Sequence, residues 1–342
     1  SMIYLLRASH ANEFELQNYY GINDLEVVTS QHPLTDIKLP NTKLWSPTDL
    51  PNFPFRRQLF NRLFGGEQWL LGLEQYLSKR HHDLNHDIIH TAETYTPYTH
   101  QAVQLRKRGV ISKLICTCWE TIPHNNEKFA RLRHWKQEAY QHVYLFHTPT
   151  IRAKQALLKE GVTESKIKVI PYGVDPSRFA PRSLQGRTLK AHKPLVLTLA
   201  RRVPEKGLAI FARLRADFTS RAEFRWVFDV PYSEIPALLR EGDIFLLASS
   251  PTPTWEEQYG MVLIEAMATG LPIITTTCGA IPEVVGDAAL LAPPGDYSAI
   301  FTHLQHLLTI PTLAPALSRA ASTRAKHLYD SRLITTQLAT LY

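Results

Sequence analysis

The segment that decides the fold is Glu257-Gln-Tyr-Gly-Met-Val-Leu-Ile-Glu265, in which two carboxylates stand eight positions apart. The strand-like run Asp243–Ser249 comes before it, and a second run, Leu271–Thr276, comes after it. Between them, Gly260 opens an apolar stretch of helical length. This pattern predicts strand, loop, helix and strand, with the first carboxylate in the loop and the second about one turn inside the helix.

The predicted helix start is a place where an anion would bind. The first N–H groups of a helix have no partner inside it, and their partial positive charge attracts anions. Two acidic side chains beside such a site are unusual unless they accept hydrogen bonds from hydroxyl groups of a ligand. A phosphate that carries a sugar satisfies both conditions, so the segment predicts a site for a ligand of that kind.

Strands alternate with helices along the whole chain, which indicates an α/β protein with parallel sheets. The first half opens with the buried strand Ile3–Leu6, and the pattern restarts at the strand Leu195–Leu199. A chain of 342 residues is longer than one core usually supports, so we expect two domains. The boundary is predicted between Pro171 and Lys193, a stretch that includes a polar linker.

Three groups of residues in the second half directly follow predicted strands. Arg201, Arg202 and Lys206 come after the first of these strands. The acidic segment follows the second strand, and Gly279–Glu283 follows the third. Ligands of open parallel sheets bind beyond the carboxyl ends of the strands. Fixed cations, a helix start and two carboxylates at this edge predict a site for a diphosphate esterified to sugars.

Composition and charge are those of an ordinary soluble protein. Hydrophobic residues make up 44% and charged residues 20% of the chain, and no signal peptide precedes the first strand, so we expect a cytoplasmic location. The net charge is +7, with basic clusters at Arg56-Arg57, Arg106–Arg108 and Arg131–Lys136. These clusters could contact the inner face of an anionic membrane or an anionic acceptor, or could form a solvated basic face. They lack the aromatic interleaving of nucleic-acid binders, so we expect no nucleic-acid partner.

Two other groups of residues give weaker signals. His82 and His86 have the chemistry of metal ligands but no third ligand at a supporting spacing, so we interpret 81–87 as a polar loop and expect no metal site. Cys116, Cys118 and Cys278 fall in strand-like segments and are expected to be reduced, buried thiols.

The segments that follow the strands of the second half also match one known family. They are Ala200–Gly207, Glu257–Glu265, Gly270–Val285 and Leu290–Asp296, in that order. On these motifs the chain resembles the retaining enzymes of glycosyltransferase family 4, which have the GT-B fold. Val169–Asp175 is similar to the family's interdomain segment, with tyrosine at 172 where asparagine is usual. The resemblance is strong over residues 169–296 and weak over the first half.

The resemblance implies an architecture and a division of labour. Two Rossmann-like parallel-sheet domains would face a central cleft. Residues 1–172 would bind the acceptor, and residues 173–324 would bind the nucleotide-sugar donor. The C-terminal helix, at about residues 325–342, would cross back onto the first domain.

The resemblance also implies roles for individual residues. Arg201 and Lys206 would act in catalysis by holding the diphosphate and stabilising it as the leaving group, and Glu257 would face the donor sugar. Glu265 would accept hydrogen bonds from the ribose hydroxyls. Further donor contacts would come from Arg202, Tyr259, Gly260, Met261, Val262 and Leu263, the last five through backbone N–H groups. The family needs neither metal nor cofactor, because fixed cations and the helix start neutralise the diphosphate, and a UDP- or GDP-linked donor is expected.

The first half departs from the family pattern. The glycine pair that often follows the first strand is replaced by Arg7–Glu13, and the strand that usually leads to a His-Asp pair leads here to Trp119-Glu120. The resemblance therefore implies that Glu120 is a candidate catalytic residue, which would take over a hydrogen bond to the sugar or the acceptor in place of the family's histidine. The stretch 208–228 is also short, so either a strand and a helix are trimmed from the donor domain or residues are missing from the sequence. The acceptor-side candidates are His90, Glu93, His124 and Asn12.

Two functions are compatible with these observations. The first is retaining, metal-independent transfer of a hexose-type sugar from a nucleotide-diphosphate sugar to a hydroxyl of a glycan, a lipid-linked acceptor or a small molecule. The alternative is a non-catalytic protein of the same fold that binds nucleotide sugars or acts as a scaffold, which the altered Trp119-Glu120 region would favour.

Overall fold

The computed structural model describes residues 1–80, 87–184, 186, 188, 189 and 193–342, with the backbone alone at residue 80. It divides the chain into two compact units. Unit 1 comprises Ser1–Ile170 and Thr335–Tyr342, and unit 2 comprises Pro171–Ile334. The histidines of the loop predicted over 81–87 lie outside the described residues, as does part of the predicted polar linker.

The described residues form twelve β-strands in two sheets. They are β1 (Ile3–Ala8), β2 (Leu25–Thr29), β3 (Asn41–Lys43), β4 (Ile88–Ala92), β5 (Lys113–Thr117), β6 (Leu145–Thr148), β7 (Ile167–Val169), β8 (Leu195–Leu199), β9 (Glu223–Val227), β10 (Ile244–Leu247), β11 (Ile273–Thr276) and β12 (Leu290–Ala292).

The helices of the described residues lie between these strands and after the last of them. They are α1 (Glu13–Leu16), α2 (Arg56–Phe64), α3 (Leu73–Arg80), α4 (Pro97–Lys107), α5 (Ala130–His142), α6 (Ile151–Lys159), α7 (Leu208–Asp217), α8 (Ile235–Glu241), α9 (Met261–Ala268), α10 (Ile281–Val285), α11 (Tyr297–Thr309), α12 (Leu313–Leu328) and α13 (Ser331–Ala339).

Unit 1 is built on a parallel sheet of seven strands in the order β3-β2-β1-β4-β5-β6-β7. Every residue of β1 and β4 is buried, as expected for central strands that are covered on both faces. Their apolar side chains, such as Leu6 and Ile89, lie in one core with Tyr98 of α4 and Phe146 of β6.

Unit 2 is built on a parallel sheet of five strands in the order β12-β11-β10-β8-β9. The three central strands β8, β10 and β11 are buried along their whole length, while the edge strand β9 is partly exposed. Because β10 pairs with both β8 and β11, the loops after these three strands leave the sheet side by side. The α/β class and the two parallel-sheet, Rossmann-like domains are confirmed.

Two predicted elements differ from the structure, and a third is settled by it. The Pro-rich sequence over Pro33–Pro54 predicts a loop, but this stretch contains the short edge strand β3. The amphipathic sequence over Leu59–Leu77 predicts a helix that is continuous or broken at Gly65-Gly66, and the break is confirmed because the stretch forms the two helices α2 and α3. Gly65, in the left-handed conformation at φ 73°, ends α2, which a residue without a Cβ does at little cost. The helical segment predicted over Leu317–Tyr342 is also interrupted at Tyr329, whose carbonyl accepts a hydrogen bond from the Val174 N–H.

The short stretch 208–228 holds one helix and one strand, α7 and the edge strand β9. β9 pairs directly with β8 over five residues, from Leu195 with Glu223 to Leu199 with Val227. β9 is therefore the edge strand on this side of the sheet. Among the described residues, the additional strand that the resemblance would supply is absent from this sheet.

Candidate active site

The centre of the site in unit 2 is an ion pair between Lys206 and Glu257. The Lys206 ammonium lies 3.0 Å from Oε1 and 2.7 Å from Oε2 of the carboxylate. Both side chains are mostly buried, with 13% and 11% of their surfaces exposed. Ser249, just after β10, donates a third hydrogen bond to Glu257 Oε2 at 2.9 Å. The cation from the β8 loop and the carboxylate from the β10 loop are thus brought together as the adjacent strand ends require.

The backbone around Lys206 is packed closely onto the end of β10. Pro204–Lys206 forms a single 3₁₀ turn that ends at Gly207, which has φ +86°. A Cβ at Gly207 would lie 2.4 Å from the Ala248 carbonyl oxygen, so only glycine allows this approach. The Ser250 N–H also donates to the Glu205 carbonyl at 2.8 Å. These contacts fix the position from which Lys206 reaches Glu257.

Glu257 is held from its other side by the loop after β11. Gly279 has φ +59°, and a Cβ on it would lie 2.2 Å from the Glu257 carbonyl oxygen. The Ala280 N–H donates to the same carbonyl at 2.8 Å. The third predicted group, Gly279–Glu283, therefore positions the backbone of Glu257.

Trp255 is a member of this cluster that the sequence did not suggest. Its ring lies under the Lys206 ammonium, with 4.8 Å between the nitrogen and the ring centroid. An aromatic face attracts a cation, so Trp255 helps to fix Lys206. Its place in the segment just before Glu257 was the one available signal.

Helix α9 begins at the cluster, as predicted. Gly260 precedes its first residue in the left-handed conformation, with φ 74° and ψ 51°, and no side chain caps the helix. The Leu263 N–H already donates to the Gly260 carbonyl at 2.9 Å, so the predicted ligand contact through that group is not supported. Met261 is exposed and Val262 half-buried at the same helix start.

The side chain of Tyr259 has a structural task, which is separate from the ligand contact predicted for its backbone N–H. Its buried hydroxyl donates to the Tyr172 carbonyl at 2.6 Å and accepts from the Tyr172 N–H at 2.8 Å. It thereby anchors the first residues of unit 2 to the loop before α9. The tyrosine at 172 makes these bonds through its backbone.

Glu265 is buried on α9, where burial raises the pKa of its carboxyl to about 8. A hydrogen bond from the Tyr232 side chain and the charge of Arg178 act in the opposite direction and favour the carboxylate. The Arg178 guanidinium lies 4.9 Å from the centroid of the Tyr232 ring. The sequence did not suggest Arg178, because nothing in its sequence surroundings links it to α9.

The remaining predicted cations of unit 2 lie at the surface. Arg201 and Arg202 are both exposed. The Arg202 guanidinium lies 4.5 Å from the centroid of the Phe228 ring at the end of β9. In the described part of the chain neither arginine is paired with an acidic side chain.

Two predicted residues of unit 1 require correction. His90 is fully buried in β4, with Nδ1 2.6 Å from the Tyr342 hydroxyl and Nε2 2.7 Å from the Thr117 hydroxyl. Burial, with Arg7 and His147 nearby, holds the pKa of its imidazole well below the usual range. A substrate cannot reach this side chain, so its predicted place in an acceptor cleft is wrong.

The carboxylate of Glu120, which was predicted to take the place of the family's histidine, accepts hydrogen bonds from residues of its own loop. Oε1 accepts from the N–H groups of Thr121 and Ile122, both at 2.9 Å. Oε2 accepts from the side-chain amides of Asn125 at 2.9 Å and Asn126 at 3.0 Å. A carboxylate has about four acceptor sites, so the four donors of the loop saturate it. The geometry gives Glu120 a loop-organising role in place of the predicted sugar contact.

The other acceptor-side candidates also have structural partners. Asn12 caps α1 by accepting from the Glu15 N–H at 2.9 Å. Glu93, after β4, accepts from the Trp119 N–H at 2.8 Å, and burial raises the pKa of its carboxyl to about 8. The side chain of His124 is exposed, and its backbone N–H donates to the Glu160 carboxylate at 2.6 Å.

His124, Glu127 and Glu160 form the one cluster among the described residues with a metal-binding arrangement. The ammonium of Lys136 already occupies it, 3.0 Å from Glu127 and 2.8 Å from Glu160. Both carboxylates share this buried cation, and the Arg133 guanidinium lies 3.8 Å from Glu127, so the cluster is explained as an internal ion-pair network.

Comparison with known families accounts for both units. Residues 24–178 match the model described as Glycosyltransferase Family 4, and residues 189–309 match the one described as Glycosyl transferases group 1. The chain is therefore similar to the glycosyltransferases of family 4 in both of its units. The family resemblance that the unit 2 motifs suggested is thereby confirmed, and it extends to the weakly matching first half.

Curated relatives of this chain include named glycosyltransferases. It is 27% identical over 275 residues to the putative colanic acid biosynthesis glycosyltransferase WcaL of Escherichia coli K12, covering 70% of this chain and 66% of the relative. It is 27% identical over 232 residues to the MMP alpha-(1->4)-mannosyltransferase of Mycolicibacterium hassiacum, covering 60% of this chain and 55% of the relative. The chain spans less than two thirds of the length of these relatives.

Solved structures show that this chain has the GT-B fold. HepE of Anabaena, in complex with UDP, superposes with a TM-score of 0.72 at 16% identity, covering 100% of this chain and 99% of that one. Sucrose-phosphate synthase of Thermosynechococcus elongatus superposes with a TM-score of 0.74 at 16% identity, covering 100% and 98%. Within the described residues, no helix has both the length and the apolar character needed to cross a membrane.

Proposed function

We propose that this chain is an active glycosyltransferase that moves a hexose-type sugar from a nucleotide-diphosphate sugar to an acceptor hydroxyl, with retention of configuration and without a bound metal. The Lys206–Glu257 pair at the start of α9 is the observation that carries this proposal. It places a mostly buried cation, a carboxylate and an uncapped helix start at one edge of the sheet.

Lys206 is proposed to hold the donor diphosphate. An ammonium has three donors, and the two oxygens of Glu257 engage two of them, so one remains for a phosphate oxygen. The N–H groups at the start of α9 would supply further donors, and the exposed Arg201 would complete the cationic contacts. These fixed positive groups would stabilise the charge that develops on the diphosphate as it leaves, without a metal ion.

Glu257 is proposed to bind hydroxyl groups of the transferred sugar. Its carboxylate is fixed by Lys206, Ser249 and the close contact with Gly279. In the reaction, the bond between the anomeric carbon and the phosphate oxygen breaks, and a bond from that carbon to the acceptor oxygen forms on the same face. The acceptor proton passes to an oxygen of the leaving diphosphate, which balances the charge.

Glu265 is proposed to bind the ribose of the nucleotide. Burial of the Glu265 carboxyl outweighs the Tyr232 hydrogen bond and the Arg178 charge in setting its pKa, and two ribose hydroxyls would supply further donors to it. Tyr232 and Arg178, which already contact or face Glu265, would then lie beside the nucleoside.

We propose a UDP-linked donor and a glycan acceptor. Solved structures of the same fold were obtained with UDP and with UDP-glucose, and the WcaL relatives act in colanic acid biosynthesis. A GDP-linked donor is the competing possibility, because the diphosphate and ribose contacts do not depend on the base.

The rival function is a non-catalytic nucleotide-sugar binding protein. The saturated Glu120 favours it, since the residue predicted to act near the reacting sugar is committed to its loop. Only the transferase would release free nucleoside diphosphate when donor and acceptor are mixed.

The experiment has two stages. Thermal unfolding of the full chain is first followed with UDP-, GDP- and ADP-sugars, and the true donor should raise the midpoint because it binds only the native state. Release of nucleoside diphosphate is then measured with that donor and an extract of glycan acceptors. Stabilisation without release supports the binding protein, and no stabilisation by any of the three sugars would contradict both functions.

A further inference from the structure

A continuous line of hydrogen bonds crosses the sheet of unit 1 from β4 to the residue after β7. The Tyr342 hydroxyl lies 2.6 Å from His90 Nδ1, and His90 Nε2 lies 2.7 Å from the Thr117 hydroxyl. The same threonine hydroxyl lies 2.9 Å from His147 Nδ1, and His147 Nε2 lies 2.7 Å from the Ile170 carbonyl oxygen. These five residues form what we call the histidine line.

Adjacent parallel strands place the middle members of the line beside one another. On β5, Thr117 pairs with His147 of β6, while Ile115 pairs with His90 of β4. Residues two apart on a strand lie on the same face of the sheet. The two histidines are therefore brought to either side of one hydroxyl, and all three of these side chains are fully buried. Ile170 completes the line because β7 is the next strand after β6 in the sheet.

The charged and titratable groups around His90 come from two further elements. Arg7 of β1 donates to the His90 carbonyl at 3.1 Å, and its guanidinium is 2.7 Å from the carboxylate of Glu15 on α1. The Tyr19 ring lies against the imidazole, with 6.1 Å between the ring centroids. His147 is the remaining neighbour, with its ring centroid 6.4 Å away. The ring nitrogens of both histidines are thus bonded to uncharged groups, in a region where Glu15 already balances Arg7.

Both imidazoles are uncharged at neutral pH. Burial, then the charges of Arg7 and His147, hold the pKa of His90 well below its usual range. Burial lowers the pKa of His147 to about 4, although the Ile170 carbonyl and the charge of Glu15 act in the opposite direction. Each neutral ring carries one N–H group and one acceptor nitrogen.

The direction of every hydrogen bond in the line follows from this. A carbonyl oxygen can only accept, so His147 Nε2 carries the proton and donates to Ile170. His147 Nδ1 therefore accepts from the Thr117 hydroxyl, which has one proton to give. That hydroxyl must then accept from His90 Nε2. His90 Nδ1 is left as the acceptor for the Tyr342 hydroxyl.

The two ends of the line lie where the chain leaves unit 1 and where it returns. Ile170 is the last residue of unit 1 before the chain enters unit 2, and Tyr342 belongs to the returning segment Thr335–Tyr342. The Lys113 ammonium also donates to the Tyr342 carbonyl at 2.9 Å. The returning segment is therefore bonded to the sheet of unit 1 through both the side chain and the backbone of one residue.

We propose that the histidine line is an acid-released latch, which fixes the returning segment 335–342 on unit 1 while His90 is neutral and releases it when His90 is protonated. Release gives the imidazole access to water, where its charged form is stable. The pKa of His90 is lowered in the folded state, so the released state binds more protons below pH 6.5. The stabilisation by the latch is therefore complete above pH 6.5 and is lost as the pH falls below it. The inference does not depend on the proposed sugar transfer.

The first test observes the two tautomers in the full chain. ¹⁵N spectra of protein labelled at histidine distinguish a proton on Nε2 from one on Nδ1, and the variants His90→Gln and His147→Gln assign the two rings. We expect both rings to carry the proton on Nε2 at neutral pH. A proton on Nδ1 of either ring, or on both nitrogens of one ring, would overturn the latch.

The second test follows release of the segment 335–342 by hydrogen exchange and mass spectrometry. Each exchange rate is divided by the intrinsic rate at the same pH. The ratio should rise by up to about ten-fold for each pH unit below 6.5. His90→Gln should abolish this rise, because glutamine keeps a donor and an acceptor but does not titrate. A ratio that stays constant with pH in the unmodified chain, or a rise that persists in His90→Gln, would contradict the proposal.

Two further variants each remove one hydroxyl of the line. Tyr342→Phe keeps the ring and loses one hydrogen bond, so the ratio for 335–342 should rise about five-fold at neutral pH. Thr117→Val leaves a nitrogen of each imidazole without its partner, so the rise should be at least about ten-fold. If Thr117→Val does not fold, Tyr342→Phe still decides the outcome.

Matched controls remove hydroxyls that lie outside the line. Tyr76→Phe removes a hydroxyl of unit 1 that donates to Glu26 at 2.7 Å. Thr275→Val removes a buried hydroxyl of unit 2 that donates to the Leu247 carbonyl at 2.8 Å. Both should exchange over 335–342 like the unmodified chain, and circular dichroism should show that they are folded. Equal rises in the controls and in the variants of the line would overturn the latch, because any lost hydroxyl would then have the same effect.

Discussion

The loops after the strands of unit 2 and those of unit 1 use their polar groups in opposite ways. In unit 2, Lys206 and Glu257 come from different loops and pair at an uncapped helix start, with one ammonium donor to spare. In unit 1, Glu120 is saturated by donors from its own loop. The side chains that pair across the loops of unit 2 leave a hydrogen-bond donor for a ligand. The donors that surround Glu120 come from one loop, and they stabilise the fold of that loop.

The largest expected effect is at the pair itself. Glu257→Gln and Lys206→Met should each lower the rate of sugar transfer by about 10²–10³-fold, because each removes a preorganised charge. The rate of nucleoside diphosphate release measures this. The control is Glu241→Gln, which breaks the exposed Arg225–Glu241 pair of the same unit and should leave the rate unchanged. An unchanged rate of sugar transfer in both variants would contradict the proposed role of the Lys206–Glu257 pair in the reaction.

The next effect concerns the glycine that supports Glu257. Gly279→Ala would place a Cβ 2.2 Å from the Glu257 carbonyl oxygen, so the loop must shift. We expect a loss of roughly 2–3 kcal/mol in the free energy of unfolding, measured by urea denaturation. Gly295→Ala is the control, because Gly295 also has a positive φ of +80° but open space around it, and should cost about 1 kcal/mol. Equal losses would mean that backbone strain alone matters.

The two buried glutamates allow a comparison by pH. Burial raises the pKa of both Glu265 and Glu93 to about 8 from 4.5 in the unfolded chain. Each group's stabilising contribution is therefore complete below pH 4.5 and is lost as the pH rises through about 8. Over this pH range each group lowers the free energy of unfolding by up to about 1.4 kcal/mol per pH unit. The variant Glu265→Gln should lack the share that comes from Glu265, which unfolding experiments at several pH values would measure.

Donor binding then separates the two glutamates. Glu265→Gln should weaken binding of the donor nucleotide, because it replaces one of the two carboxyl oxygens beside the proposed ribose with an amide group that cannot accept a hydrogen bond, whereas Glu93→Gln should leave that affinity unchanged. Calorimetric titration with the nucleoside diphosphate measures both. Equal affinities for all three proteins would contradict the proposed role of Glu265.

The smallest effect is expected at Glu120. Glu120→Gln should lower the free energy of unfolding by about 1 kcal/mol, since an amide cannot accept from all four donors of the loop. Transfer measured well below the unfolding temperature should persist. A hundred-fold loss of transfer with unchanged stability would restore the catalytic role that the sequence predicted.

The success of prediction differed between the two units for a physical reason. In unit 2, parallel strands put the loops after β8, β10 and β11 at one edge, so spacing along the chain predicted that Lys206 and Glu257 lie together. In unit 1, His90 also follows the strand pattern, but whether a strand residue points into the core depends on which helices cover the sheet. The sequence around it carries no signal that Tyr342, from the far end of the chain, bonds its ring.

The sequence by itself determined the parallel-sheet architecture, the family resemblance and the segment Glu257–Glu265 with its helix. Apolar periodicity and the order of motifs along the chain are enough for these. Only the tertiary structure decided that Glu120 is saturated, that Trp255 lies under Lys206 and that His90 is buried beside Tyr342. Each of these depends on contacts or exposed surface set by packing, which local residue patterns do not contain.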